Sequence, residues 1–384
     1  MLHFRSQPDD STEKVLNPNK NARLLPGDEL IVLAEDDNTY RPLKKPVATA
    51  AAPKGAVARP AGLSKEDVLI VGWQRGSESI LKALDAQAVA GSRIYVLSLL
   101  DTAARRRHLK ETGFDEAEDL KTVKVEHLEG DPSIQHVVEE ALELIADQSE
   151  GAPLRRVIIL SEMTLDAKPL DSDVHNLGAL MLVRGLLQQQ RQRHQQQQQG
   201  RGGGGGGGGG SQGVGAASPR RSGGGSEEGP AAGARAGSGA ASPAVETTFT
   251  VETLDSRTQV ALQKQKVQHL DAQFVHGDTF IARTLAMVAM QEDDQQITEE
   301  LLSDHGNFLL VQTAAAYVTA GGEDLSFLDV AGRALEHGEI LVGTMTGAND
   351  KIDVNPENKR EQRRWAPTDR IVCISGAYGK RTSL

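Results

Sequence analysis

The chain is 384 residues long, with 42 Lys plus Arg against 53 Asp plus Glu and a single Cys, which excludes an internal disulfide, a multi-cysteine zinc site and hence the secreted disulfide scaffolds. Its net charge is −11, and residues 188–244, which hold 19 of the 40 glycines, carry six Arg against two Glu, so the rest stands at −15; that acidity repels a phosphate backbone and excludes nucleic acid as a main partner. Apolar runs such as Val157 to Leu160 fall far short of the roughly 20 residues a membrane span needs, and no charged-then-apolar leader opens the sequence, so this chain alone is expected to be soluble.

In chain order, Pro26 and Gly27 form a turn that feeds a strand over Leu30 to Ala34, ending in the acidic run Glu35, Asp36, Asp37. Residues 43–64, rich in Ala, Pro and Lys, read as a linker. A new unit opens with a strand at Val68 to Val71, a turn at Gly72 to Gly76, and a helix carrying Ile80, Leu81, Leu84 and Ala88 at helical spacing. Ile94 to Leu97 is a second strand, Thr102 to Lys110 a charged helix, and Val123, Val125 and Leu128 a third strand. Asp131 is placed to cap the next helix with Pro132 at its first position, and Ile134, Val137, Val138, Ala141, Leu142 and Ile145 form its apolar stripe. Val157 to Leu160 is a fourth strand, and a helix over Val174 to Leu187 runs into the Gln tract. Strands alternating with helices at this spacing predict a mostly parallel sheet.

Residues 188–244 cannot bury enough apolar surface to offset their chain entropy and are expected to be a disordered insertion. A strand resumes at Thr248 to Leu254, followed by helices through Ile281 to Ala289 and Ile297 to Leu302. The last part changes character: short strands at Phe308 to Gln312, Ile340 to Thr344 and Arg370 to Ile374, with a helix over Phe327 to Glu336, predict a small α+β lobe. The segments GDELIVLA (27–34) and TDRIVCIS (368–375) look like one element used twice.

Several stretches together resemble the regulatory region of the CASTOR/POLLUX family of plant ion channels, including its POLLUX-like plastid branch. They are LLPGDELIVLAEDDNTY (24–40), DVLIVGWQRG (67–76), AGSRIYVLS (90–98), VEHLEGDPS (125–133), VETLDSRT (251–258), LAMVAMQEDDQQITEELLSDHGN (285–307) and RRWAPTDRIVCIS (363–375). The resemblance implies an α/β fold: a Rossmann-like RCK lobe with a mostly parallel sheet plus a small α+β C-terminal lobe. On that reading residues 1–42 are the remnant of a preceding RCK C-terminal lobe and 65–306 the Rossmann-like RCK domain, interrupted at 188–244. Residues 307–378 are then the small lobe and 379–384 a tail. It further implies self-association into a ring, tetrameric in the family, beneath a pore-bearing membrane region or subunit of the nuclear or plastid envelope. The pore helices and the selectivity filter are not in this sequence.

Few residues carry chemistry. The turn Gly72, Trp73, Gln74, Arg75, Gly76 stands where a dinucleotide fold holds pyrophosphate, but it lacks G-x-G-x-x-G, and Trp73 obstructs close backbone approach. Asp101 follows Gly72 at a longer spacing than a ribose-binding acid, so NAD binding is disfavoured. Gly130 and Asp131 match the Gly-Asp step at the third strand of RCK domains, where the Asp caps a helix and ligand contact is secondary. Glu35, Asp36 and Asp37 offer part of an oxygen set for a regulatory calcium ion, against the plainer reading of a solvated turn. The histidines have no zinc spacing, and no catalytic set is present. The sequence therefore points to a regulatory gating-ring module that couples ion or ligand binding to ion transport. A soluble regulator of a separate transporter is the first alternative and an NAD-dependent oxidoreductase the second.

Overall fold

The computed structural model describes residues 2–6, 12–18, several positions between 23 and 33, and 65–149, 152–162, 168–201, 247–264, 271–290, 294–303, 306–346 and 351–376. Near the start, β1 (Leu2–Ser6), β2 (Thr12–Val15) and β3 (Leu30–Ile31) form a small antiparallel sheet in the order β2-β1-β3.

The main lobe alternates strand and helix: β4 (Asp67–Val71), α1 (Ser77–Gln87), β5 (Arg93–Ser98), α2 (Thr102–Glu111), α3 (Glu116–Asp119), β6 (Lys124–Glu129), α4 (Gln135–Gln148), β7 (Leu154–Ile159) and α5 (Pro169–Arg201). It continues with β8 (Thr248–Thr253), α6 (Ser256–Lys264), β9 (Ala272–His276), α7 (Gly277–Met290) and α8 (Asp294–Leu302). Six strands form one parallel sheet in the order β6-β5-β4-β7-β8-β9. The chain leaves β4 first toward β6 and then, after returning, toward β9. That reversal is the doubly wound, Rossmann-like arrangement, with its switch point between β4 and β7.

Alternation along the central strands divides the core. Leu69, Val71, Tyr95 and Leu97 face α4 and α5, packing on Val138, Leu142, Leu180 and Val183. Val68, Ile70, Ile94 and Val96 face the other way, onto Leu81 of α1, Leu109 of α2, Phe114 and Trp73. A sheet buried on both faces has no place for a polar alternation, which is why β4 reads DVLIV and is buried throughout. Two polar groups tie the helices down. Asp85 of α1 accepts from the backbone N–H of Lys121, Thr122 and Val123. Arg105 of α2, fully buried, donates to the Val96 and Leu128 carbonyls at 2.9 and 2.7 Å.

Two local expectations change. Helix α4 begins at Gln135, with Ile134 as its N-cap and no side-chain cap. Asp131 instead accepts from Ser133 N and Ser133 Oγ, closing the turn before the helix. Helix α5 does not stop at Leu187, as expected, but runs on through the Gln tract to Arg201. Gln is a good helix former, and adding residues to an existing helix costs far less than nucleating one. Residues 202–244 lie outside the described residues.

The second lobe contains β10 (Asn307–Thr313), a 3-10 turn at Ala314–Ala316, β11 (Glu323–Ser326), α9 (Phe327–Glu336), β12 (Glu339–Thr346), β13 (Lys351–Val354), β14 (Gln362–Trp365) and β15 (Arg370–Gly376). An antiparallel sheet, β10-β15-β12-β13, and the pair β11-β14 enclose Tyr317, Val330, Leu341, Trp365, Ile371 and the buried Cys373. The opposite sheet face holds Ile374 against Leu16, with Ile31, Ile297, Leu301, Ile340 and Val342 around them. Asn17 donates to the Gly338 carbonyl at 2.7 Å, and Asn307 to the Leu16 carbonyl at 2.8 Å. The two look-alike segments thus each contribute an isoleucine, Ile31 and Ile374, to one cluster.

Candidate functional site

In open parallel sheets, ligands bind beyond the carboxyl ends of the strands at the switch point. Here that position lies between the turn after β4, residues 72–76, and Leu160 to Glu162 after β7. Gly72 adopts φ +95°, and a Cβ on it would stand 2.1 Å from the Leu160 carbonyl oxygen. The glycine is therefore required by strand-to-loop contact. Trp73 is fully buried, its ring edge-on to His108 and His127 with centroids 6.3 and 6.0 Å away. It fills the core of its own lobe. Arg75 is exposed, and Gly76 precedes α1 in the left-handed region at φ +84°.

The remaining candidates have local duties. Asp101 caps α2, accepting from Ala104 N at 2.8 Å. Gly130 allows close packing, since a Cβ there would meet Val137 Cγ1 at 2.5 Å. Glu35, Asp36 and Asp37 lie outside the described residues. Among the described residues, no group of three or more His, Cys, Asp or Glu side chains is placed to hold a metal.

Side chains not singled out from the sequence dominate the crevice. Glu162, 4% exposed, accepts from Leu99 N at 2.9 Å and from Ser98 Oγ at 3.0 Å, reaching from the end of β7 to the end of β5. Burial pushes its carboxyl above the usual carboxylate range, while the Leu99 amide, the Ser98 hydroxyl and the charges of His175 and Arg105 pull the other way. Glu252 of β8 accepts from Ser161 N at 2.9 Å. With its nitrogen turned toward that carboxylate, the Gln74 amide donates to it at 3.0 and 3.2 Å. Asp173 of α5 accepts from Leu254 N and Asp255 N, and Glu129 from Thr102 N.

In the turn after β4, Gly72 N bonds to the Leu97 carbonyl, Gln74 N to Ser77 Oγ and Ser77 N to the Gln74 carbonyl, while the carboxylates of the crevice take amides of the loops around it. Trp73, expected to obstruct close approach to this turn, is instead turned into the core; what disfavours a nicotinamide dinucleotide is the missing G-x-G-x-x-G pattern and Glu162, which occupies Leu99 N and Ser98 Oγ at the end of β5. The only sequence signal for these groups was a polar residue directly after an apolar run, as in VIILSE and TFTVET.

Matched against known proteins, no protein-family model fits the chain. It is 27% identical over 365 residues to the probable ion channel POLLUX of Oryza sativa subsp. japonica, covering 94% of this chain and 33% of that protein. It is 26% identical over 362 residues to the ion channel CASTOR of Lotus japonicus, covering 94% and 37%. The probable ion channel POLLUX of Arabidopsis thaliana is 26% identical over 364 residues, covering 94% and 39%. This chain is a distant homologue of the CASTOR/POLLUX ion channels. It spans little more than a third of the length of these CASTOR and POLLUX relatives. Among its described residues no helix is long and apolar enough to cross a membrane.

Proposed function

We propose that the chain is a non-catalytic regulatory module of a CASTOR/POLLUX-like cation channel, one that assembles with copies of itself, in a ring of RCK-type domains, and converts ion or ligand binding into gating. The supporting relation is homology that runs through almost the whole chain to proteins named as ion channels. The observation that carries the assembly is α7. A surface helix normally hides an apolar stripe against its own core. Helix α7, GDTFIARTLAMVAM, buries none of its residues, and leaves Phe280 53%, Ile281 58%, Leu285 65% and Met290 83% exposed. An apolar surface of that kind marks a protein contact. In such an assembly, a ligand moves the gate only through different affinities for two arrangements of the subunits.

The test is a chimaera in which residues 65–376 replace the matching segment of Lotus japonicus CASTOR, with ion flux measured in reconstituted vesicles. The chimaera is expected to conduct, and Ile281→Glu with Leu285→Glu to reduce flux about tenfold or more by loosening the assembly, since two charges on a buried apolar face cost several kcal/mol. A chimaera of native size whose flux ignores those substitutions contradicts the proposal.

A further inference from the structure

In the small lobe a cleft of about 520 Å3 opens between the first turn of α9, β12, β13 and β14, a size that holds a small organic molecule. One wall is the connection from β13 to β14, and hydrogen bonds pin it. Asn355 N donates to the Val342 carbonyl at 2.8 Å, Leu328 N to the Lys359 carbonyl at 3.2 Å, and Glu361 N to the Asn358 carbonyl at 3.1 Å. Thr344 of β12 lines the cleft and is 3% exposed, yet its side chain has no hydrogen-bond partner among the described residues. A hydroxyl withdrawn from water without a partner is costly, so this one points to a ligand that completes it from the cleft.

Asp353, Glu357 and Glu361 line the same cleft, and among the described residues none of them is paired with Lys, Arg or His. Three like charges around one space repel one another and draw in positive charge. A bare divalent ion does not answer them. It needs carboxylates that converge, and no three of these acids are placed to hold a metal. Arg363 does not answer them either: its guanidinium lies over the Trp365 ring, 3.8 Å from the centroid, and makes no ion pair among the described residues. What remains is a ligand whose positive charges are spaced as the carboxylates are.

We propose that this cleft binds an aliphatic amine with two or more ammonium groups separated by methylenes. The ammonium groups meet the carboxylates, one of them also donates to Thr344 Oγ1, and the methylene chain lies against Phe327 and Pro356. Two sources carry that chemistry. A polyamine has cationic groups alone, whereas a basic amino acid adds a carboxylate that would meet the unpaired Arg363. The site is independent of the α7 contact and of the channel reading.

Calorimetric titration of the full chain with spermidine and, separately, with lysine tests it, beside MgCl2 at equal charge. Saturable binding of one equivalent is expected for at least one of the two amines. Glu357→Gln with Glu361→Gln, both on exposed loop positions, should weaken it about tenfold or more, and Thr344→Val about fivefold. Arg363→Gln separates the sources: it leaves or tightens spermidine binding if the ligand is a polyamine, and weakens lysine binding if it is a basic amino acid. Absence of saturable binding by either amine up to about 10 mM would overturn the proposal. So would binding that Mg2+ reproduces, as for a diffuse acidic surface, or binding that ignores the paired glutamate substitutions.

Discussion

Gly72→Ala is expected to destabilise the main lobe by about 3–5 kcal/mol, because it adds two separate penalties. A Cβ at φ +95° costs roughly 1–2 kcal/mol by itself. The same Cβ also falls 2.1 Å from the Leu160 carbonyl oxygen, a main-chain atom that cannot rotate away. Relief would require β4 and β7 to part at their carboxyl ends, where Leu160 N bonds to the Val71 carbonyl at 2.8 Å and Gly72 N to the Leu97 carbonyl at 2.8 Å. Gly76→Ala supplies the internal control. That residue has φ +84° but nothing within 4 Å of its Cβ position, so only the backbone penalty of about 1–2 kcal/mol should appear. Urea unfolding of the two variants should separate them by about 2 kcal/mol or more; equal losses would mean that the crowding at Leu160 is relieved elsewhere.

The second large effect lies in the small lobe. Arg333 of α9 is 3% exposed, donates to the Tyr317 carbonyl at 2.7 Å, and pairs with both Glu323 oxygens at 2.9 Å. Arg333→Met removes every one of these donors and strands a carbonyl and a carboxylate. Breaking one side of a buried pair costs about 3–5 kcal/mol; the partial exposure of Glu323 places this case nearer 2–3 kcal/mol. Glu323→Gln combined with Arg333→Met should recover part of the loss, since no charge is then left alone.

The pair also fixes a pH dependence. Its hydrogen bonds to Arg333 hold the Glu323 carboxyl below the usual glutamate range. A depressed folded-state value means that the stabilisation is fully present above the unfolded value, roughly pH 4.3, and is lost as pH falls through the folded one. The stability gap between the native chain and Glu323→Gln should therefore narrow on acidification below about pH 4. A gap that stays constant down to pH 2 would detach Glu323 from this role.

What could be read from the sequence depended on whether its cause was local. The helix over Phe327 to Glu336 matches α9 end to end, because Ser326 and Asp329 form a capping box written within four residues. The central strands were equally plain, since burial on both faces leaves continuous apolar runs. Strand β9, AQFVH, was missed: at the sheet edge it is only partly covered, and its pattern is short. Asp131 looked like a helix cap because Pro132 follows it, but Ser133 competes for its carboxylate with two donors. The crevice was not legible. Ser161 and Glu252 are 91 positions apart, and Asn176 and Glu252 are 76 apart, with the Gln/Gly segment between. Only the parallel pairing of β7 with β8 brings them together.

The proposed regulatory role requires the chain to assemble through the exposed apolar face of α7. Sedimentation equilibrium of residues 1–384, beside the Ile281→Glu, Leu285→Glu variant, tests it most directly. The account predicts a dimer or tetramer at micromolar concentration for the native chain, and a monomer with an unchanged circular dichroism spectrum for the variant. A native chain that stays monomeric throughout that range, or an oligomer untouched by the two glutamates, would contradict it.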